Sequence, residues 1–253
     1  MDLKLTGKVA LVTGSSRGLG KGIAHRLTEE GVDVVLCART AETLDAAVAE
    51  APGPGRAHGV LADVTTREGA ENVVAGAVAT FGGLDIVVNN VGGSGAKTAQ
   101  AVDREDLATV LNKNLFPALE VTQAAYPQLA ARGGVVCVIA SVWGREGGGG
   151  PSYNVAKAAE MSLAKAMARD FAVDGVRVFS VAPGSTRFPG GSWDRRAIED
   201  PQAMADFVAR EIPGGRFGTV GEVADVVTFL VSPRASWVLG TCVVVDGGQS
   251  RAF

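Results

Sequence analysis

The chain of 253 residues is 47% hydrophobic and carries a net charge of −3 at neutral pH. That balance leaves no basic patch for nucleic acid, and no apolar run reaches the roughly 20 residues that span a bilayer. The N-terminus, MDLKLTGKVALVTG, runs into an apolar strand instead of a signal peptide, which predicts a cytoplasmic protein without a membrane partner.

Short Val/Ile/Leu/Ala runs predict strands at 9–13, 33–38, 57–61, 84–89, 135–140, 176–181 and 242–245. Most are continuous apolar runs, the pattern of parallel strands covered on both faces. Helices are predicted near 19–30, 41–50, 66–81, 103–113, 115–132, 152–173 and 221–231. Strand and helix alternate throughout, so the expected fold is α/β: a doubly wound, seven-stranded parallel sheet in one domain over 1–253. The stretch 183–218 breaks the alternation. It is rich in Gly and Pro with a short helical segment around 201–211, and it reads as a substrate lid inserted at the carboxyl edge of the sheet. Cys37, Cys137 and Cys242 lie in predicted strands without CxxC spacing and are expected to be core thiols. His25 and His58 are the only histidines, too few and too scattered for a metal cluster or a histidine triad.

Chemistry concentrates at two places. Gly14, Gly18 and Gly20 follow the first strand directly and open a helix, in the spacing GxxxGxG. Glycines let the backbone approach a pyrophosphate, and the helix N-terminus meets its charge. Tyr153 and Lys157 stand four apart in YNVAK, on one face of a helix, twelve residues after Ser141 and with Asn114 upstream. A free phenol has a pKa of roughly 10 and is a poor acid near neutrality. An adjacent ammonium stabilises the phenolate, so the pair predicts proton transfer to or from an alcohol or carbonyl oxygen.

TGSSRGLG, Asp63-Val64, NNVG at 89–92, Asn114, Ser141, YNVAK and Pro183-Gly184 occur together and in this order. In them the chain resembles, over nearly its whole length, the short-chain dehydrogenase/reductase family in its single-domain form. The resemblance implies a Rossmann fold and a nicotinamide cofactor held by Gly14, Ser15, Ser16, Arg17, Gly18, Leu19 and Gly20. It also implies contacts from Asp63 and Val64 near the adenine, from Asn90, Val91 and Gly92 under the adenosine half, and from Tyr153, Lys157, Pro183, Gly184 and Thr186. Tyr153 would be the general acid in reduction, Lys157 would bond the nicotinamide ribose and assist the phenol, and Ser141 would hydrogen-bond the substrate oxygen. Asn114 would hold a water leading from Lys157 to solvent. Tetramers built on the helices at 115–132 and 152–173 are the family habit, and their Ala-rich faces are compatible with it.

At the end of the second strand, where an acid would accept from the ribose hydroxyls of NAD, stands Ala38, followed by Arg39. Arg39 and Arg17 suit a 2′-phosphate, so NADP(H) is the expected cofactor, with NAD(H) as the alternative. Two departures from the family pattern bear on the site. Ser141 to Tyr153 is one residue shorter than usual and holds four consecutive glycines. Phe188 occupies the position of a threonine that holds the nicotinamide carboxamide; either Thr186 or backbone groups substitute, or Phe188 caps the substrate pocket. Val142, Trp143, Phe188 and Trp193 are expected to form an apolar wall beside Ser141 and Tyr153, with Trp193 on a flexible PGGSW loop. The expected function is an NADP(H)-linked carbonyl reductase, reversible as an alcohol dehydrogenase and nearest to 3-oxoacyl-type reductases. The alternatives are an NAD-linked dehydrogenase of a sugar, steroid or other secondary alcohol, and a non-catalytic dinucleotide sensor.

Overall fold

The computed structural model describes residues 1–252. Seven strands form one parallel sheet in the order β3-β2-β1-β4-β5-β6-β7: β1 Val9–Thr13, β2 Asp33–Ala38, β3 Ala57–Leu61, β4 Ile86–Asn89, β5 Val135–Ile139, β6 Arg177–Pro183 and β7 Cys242–Val245. The helices are α1 Gly18–Glu29, α2 Ala41–Ala49, α3 Arg67–Phe81, α4 Arg104–Arg132, α5 Pro151–Phe171, α6 Ser192–Glu199, α7 Pro201–Glu211 and α8 Val220–Val231.

Alternate residues of each central strand feed opposite cores. Ala10, Val12, Leu36 and Val88 pack with Ile23 and Leu27 of α1 and Val223 and Val227 of α8. Val9, Leu11, Val35 and Val87 pack with Val73 of α3, Val121 and Leu129 of α4 and Ala164 of α5. A sheet coated on both faces explains why the strands read as unbroken apolar runs. Strand order reverses between β1 and β4, which pair with Ala10 opposite Ile86 and Val12 opposite Val88. At such a switch point the loops leaving the carboxyl ends splay apart and leave a crevice.

Three expectations are corrected. The helices predicted at 103–113 and 115–132 are one helix, α4, from its Asp103 cap, which accepts from Asp106 N–H, to left-handed Gly133. Asn114 does not interrupt it, because its amide is satisfied by the Val110 carbonyl and by Gly93 on a separate loop. Cys242 is only half-buried on edge strand β7, whereas Cys37 and Cys137 are core thiols. Burial pushes the Cys37 thiol up to about 12. The PGGSW segment is not a loose loop: helix α6 starts at Ser192, Asp194 accepts from Arg187 and from Gly190 N–H, and Arg195 donates to the Gly190 carbonyl. The ends of the 183–218 insertion are clipped together, with Arg187 N–H on the Gly218 carbonyl at 2.9 Å and Gly218 N–H on Ser185 at 3.0 Å.

Candidate active site

One groove of about 1460 Å³ runs along the carboxyl ends of the strands, from Gly14 and Arg39 at one end to Tyr153 and Trp193 at the other. Its first floor is the turn between β1 and α1. A methyl group on Gly20 would sit 2.4 Å from the Gly14 carbonyl oxygen, so the turn closes this tightly only with glycine there. Ser15 faces inward: its hydroxyl donates to the Val12 carbonyl at 2.7 Å and accepts Cys37 N–H at 2.9 Å, bracing β1 to β2. The expected cofactor contact from the Ser15 side chain is therefore corrected to a structural one, while Ser16, Arg17, Gly18 and Leu19 line the groove. Asn90 ties in the neighbouring loop, donating to the Thr13 and Gly14 carbonyls at 3.1 Å each. The first turn of α1 carries no acidic side chain to compete with an anion at its N-terminus.

Ala38, Arg39, Asp63, Val64 and Thr65 form the far wall. Arg39 is 73% exposed and lies 3.7 Å from Asp63. Although desolvation pushes the Asp63 carboxyl up, hydrogen bonds from Thr65 and the charge of Arg39 hold it below the usual carboxylate range. These walls, the glycine turn and the open helix N-terminus fit a dinucleotide: the turn could hold the pyrophosphate, Asp63, Val64 and Val91 the adenosine, and Arg17 and Arg39 a 2′-phosphate.

At the other end, Gly150 and Pro151 start α5. Tyr153 and Lys157 both line the groove, with the ammonium 5.7 Å from the phenol ring centroid. Lys157 Nζ donates to the Ile139 carbonyl at 3.0 Å and to both oxygens of Glu160, at 3.1 and 2.9 Å. Burial alone would lower the Lys157 pKa, but the Glu160 charge and hydrogen bonds, with Tyr153, raise it, so the ammonium stays charged. Ser141 lies two residues past β5, and its hydroxyl accepts Trp143 N–H at 3.2 Å. Asn114 lies behind the groove rather than in its wall. A Cβ on Gly92 would fall 2.7 Å from Asn114 Oδ1 and 3.1 Å from Lys157 Nζ, so the amide and the ammonium meet across that glycine.

The glycine run 147–150 has a packing reason. A Cβ on Gly148 would lie 2.0 Å from the Trp143 ring, and one on Gly149 would lie 3.2 Å from the Tyr153 ring. The run is flanked by Asn154, which donates to the Glu146 carbonyl at 2.9 Å, and the Glu146 carboxylate accepts Arg251 and Ala252 N–H.

The expected apolar wall is corrected in two places. Val142 is 1% exposed and lies under the groove, outside its lining. The Phe188 ring stands on the glycine turn, 2.8 Å from where a Gly18 Cβ would be, so it borders the cofactor end as much as the substrate end. Trp143 and Trp193 do line the groove. Trp193 stacks on Phe207 of α7 at 4.8 Å and lies 5.4 Å from Phe217. Several groove residues escaped the sequence reading: Phe207, Arg196, and, from the C-terminal segment, Gln249 and Arg251. Gln249 accepts Ser185 N–H at 2.8 Å and donates to its hydroxyl at 3.0 Å, holding the loop after β6. Glu160 escaped too; a signal was present in its i+3 spacing from Lys157 within an Ala-rich helix.

A glycine turn at the switch point together with a serine, tyrosine and lysine at one groove end defines a dinucleotide-dependent oxidoreductase. Residues 14–250 match the family described as enoyl-(acyl carrier protein) reductase. The chain is 34% identical over 249 residues to the 3-oxoacyl-[acyl-carrier-protein] reductase of Thermotoga maritima, covering 97% of this chain and 99% of that protein. It is 37% identical over 252 residues to the 4-formylbenzenesulfonate dehydrogenase of Comamonas testosteroni, covering 98% and 100%. The crystal structure of L-sorbose reductase from Gluconobacter frateurii, complexed with NADPH and L-sorbose, superposes with a TM-score of 0.93 at 32% identity, covering all of both chains. The chain belongs to the short-chain dehydrogenase/reductase family and is an NAD(P)-dependent oxidoreductase. Among the described residues no helix is long and apolar enough to cross a membrane.

Proposed function

We propose that the protein interconverts a carbonyl compound and its secondary alcohol with NADP(H), in the manner of the 3-oxoacyl-type reductases it resembles. The observation that carries this reading is the meeting of Ser141, Tyr153 and Lys157 in one groove that continues to the glycine turn. The bound nicotinamide would supply or accept the hydride. Tyr153 hands its hydroxyl proton to the carbonyl oxygen during reduction and takes it back in oxidation. Ser141 donates a hydrogen bond to the same oxygen and stabilises the charge that develops there. Lys157, held charged and buried, acts on the phenol, and Asn114 secures the Gly92–Gly93 segment against it.

Arg17 and Arg39, with no acid at the end of β2, support NADP(H) over NAD(H). The insertion 183–218, with its closed ends and its Trp193–Phe207–Phe217 cluster, supports a lid over an apolar substrate. A tetramer is compatible with α4 and α5, which leave Phe116 and Val155 exposed beside alanines. Screening carbonyl and alcohol panels with both cofactors, for the native chain and for Tyr153→Phe, tests the mechanism. The variant should lose at least about 10²-fold in kcat with NADPH affinity nearly kept. Near-normal turnover by it would refute the assignment.

A further inference from the structure

Among the described residues three charged side chains are buried: Asp85, Lys157 and Glu160. Asp85 precedes β4 at the amino ends of the central strands, where Lys8 and Arg132 meet it. Glu160 stands alone with Lys157. It is 1% exposed and Lys157 3% exposed, and it lies on the same face of α5 as both Lys157 and Tyr153, at i+3 and i+7. Two ammonium–carboxylate contacts of 3.1 and 2.9 Å, with the Ile139 carbonyl at 3.0 Å, occupy the inner side of the lysine.

We propose that Glu160 is a positioning residue: it fixes the Lys157 ammonium at the base of the site and, by cancelling part of its field, limits how strongly that cation acts on Tyr153. A cation acts on a phenolate through its charge, and a carboxylate in direct contact opposes it at every point beyond the pair. Among the described residues no other ionic group acts on the pair. From β5 the neighbour is the Ile139 carbonyl, from the loop after β4 it is Gly92, and from α4 it is the Asn114 amide, all uncharged; Lys113, the α4 charge beside the groove, is exposed. The titratable groups acting on Lys157 are Glu160 and Tyr153, and the one acting on Glu160 is Lys157: burial pushes the Glu160 carboxyl up, and the charge and hydrogen bonds of Lys157 oppose that. The inference rests on Tyr153 being the acid–base group of the proposed reaction.

The protein has two tyrosines, and the other, Tyr126, bonds Asp174 on the outer side of α4. In the full chain carrying Tyr126→Phe, the near-ultraviolet phenolate band therefore reports Tyr153 alone and needs no substrate. Adding Glu160→Gln should move the midpoint of that transition to lower pH by roughly one unit, about tenfold in the ionisation constant. Glu160→Asp, which keeps the charge, should move it far less. Glu160→Leu removes the charge without a buried amide; it should shift the midpoint as Gln does, and it serves if the Gln variant fails to fold. A midpoint unmoved or raised in the uncharged variants, or moved equally by Asp, overturns the proposal. Turnover by Tyr153→Phe tests the reaction reading separately, so loss of one leaves the other standing.

Discussion

Replacing Arg39 by alanine removes the guanidinium that stands beside uncharged Ala38 at the cofactor end of the groove. A charge-assisted hydrogen bond to a phosphate contributes about 1.5–3 kcal/mol. Arg39 does not start free: it faces Asp63 at 3.7 Å with its side chain 73% exposed. An exposed pair of that kind holds roughly 0.2–1 kcal/mol, which binding a phosphate would surrender. The net loss for NADPH should thus be about 0.5–2.8 kcal/mol, roughly two- to hundredfold in Kd. NADH, lacking the phosphate, should bind almost unchanged, or slightly better if Asp63, released from Arg39, accepts from a ribose hydroxyl. Titrating the native chain and the variant with both cofactors, following nicotinamide fluorescence at fixed ionic strength, measures the two constants directly. A native preference for NADH, or an equal loss for both cofactors in the variant, would refute the assignment of Arg39 to the 2′-phosphate.

If the 183–218 insertion closes over substrate, Trp193 should pass to a drier setting when NADP(H) and a substrate analogue bind together, and the fluorescence change should vanish in Trp193→Phe. An unchanged response in that variant would leave Trp193 with a structural role against Phe207 and Phe217. At the start of α8, Thr219 and Glu222 form a capping box, and hydrogen bonds from Arg216 and Thr219 lower the Glu222 carboxyl to about 2. A depressed carboxylate stabilises the fold fully above its unfolded value of about 4.3 and loses that contribution as pH falls through the folded one. Glu222→Gln should therefore lower urea stability by about 1 kcal/mol near neutrality, with the gap to the native chain closing below about pH 4; a gap independent of pH would exclude the carboxylate as its source.

Much of this protein was legible before any contact was known, because its signals are local. Parallel strands buried on both faces are written as unbroken apolar runs, and the glycine turn and the tyrosine–lysine pair are spaced by the helix and strand geometry they sit on. What failed was decided by partners distant in the chain. Whether Asn114 breaks a helix depended on Gly93, which satisfies its amide so that α4 runs through. Ser15 occupies a family-like position, yet its side chain turns inward because the Val12 carbonyl and Cys37 N–H offer it hydrogen-bond partners, and Val142 is buried outside the groove lining. The groove wall of Gln249 and Arg251 exists only because the last segment folds back on Ser185 and Glu146. The charge environment of Lys157 was half visible: spacing alone puts Glu160 on its face of α5, but only burial beside the Ile139 carbonyl turns a solvated i,i+3 pair into a dry one.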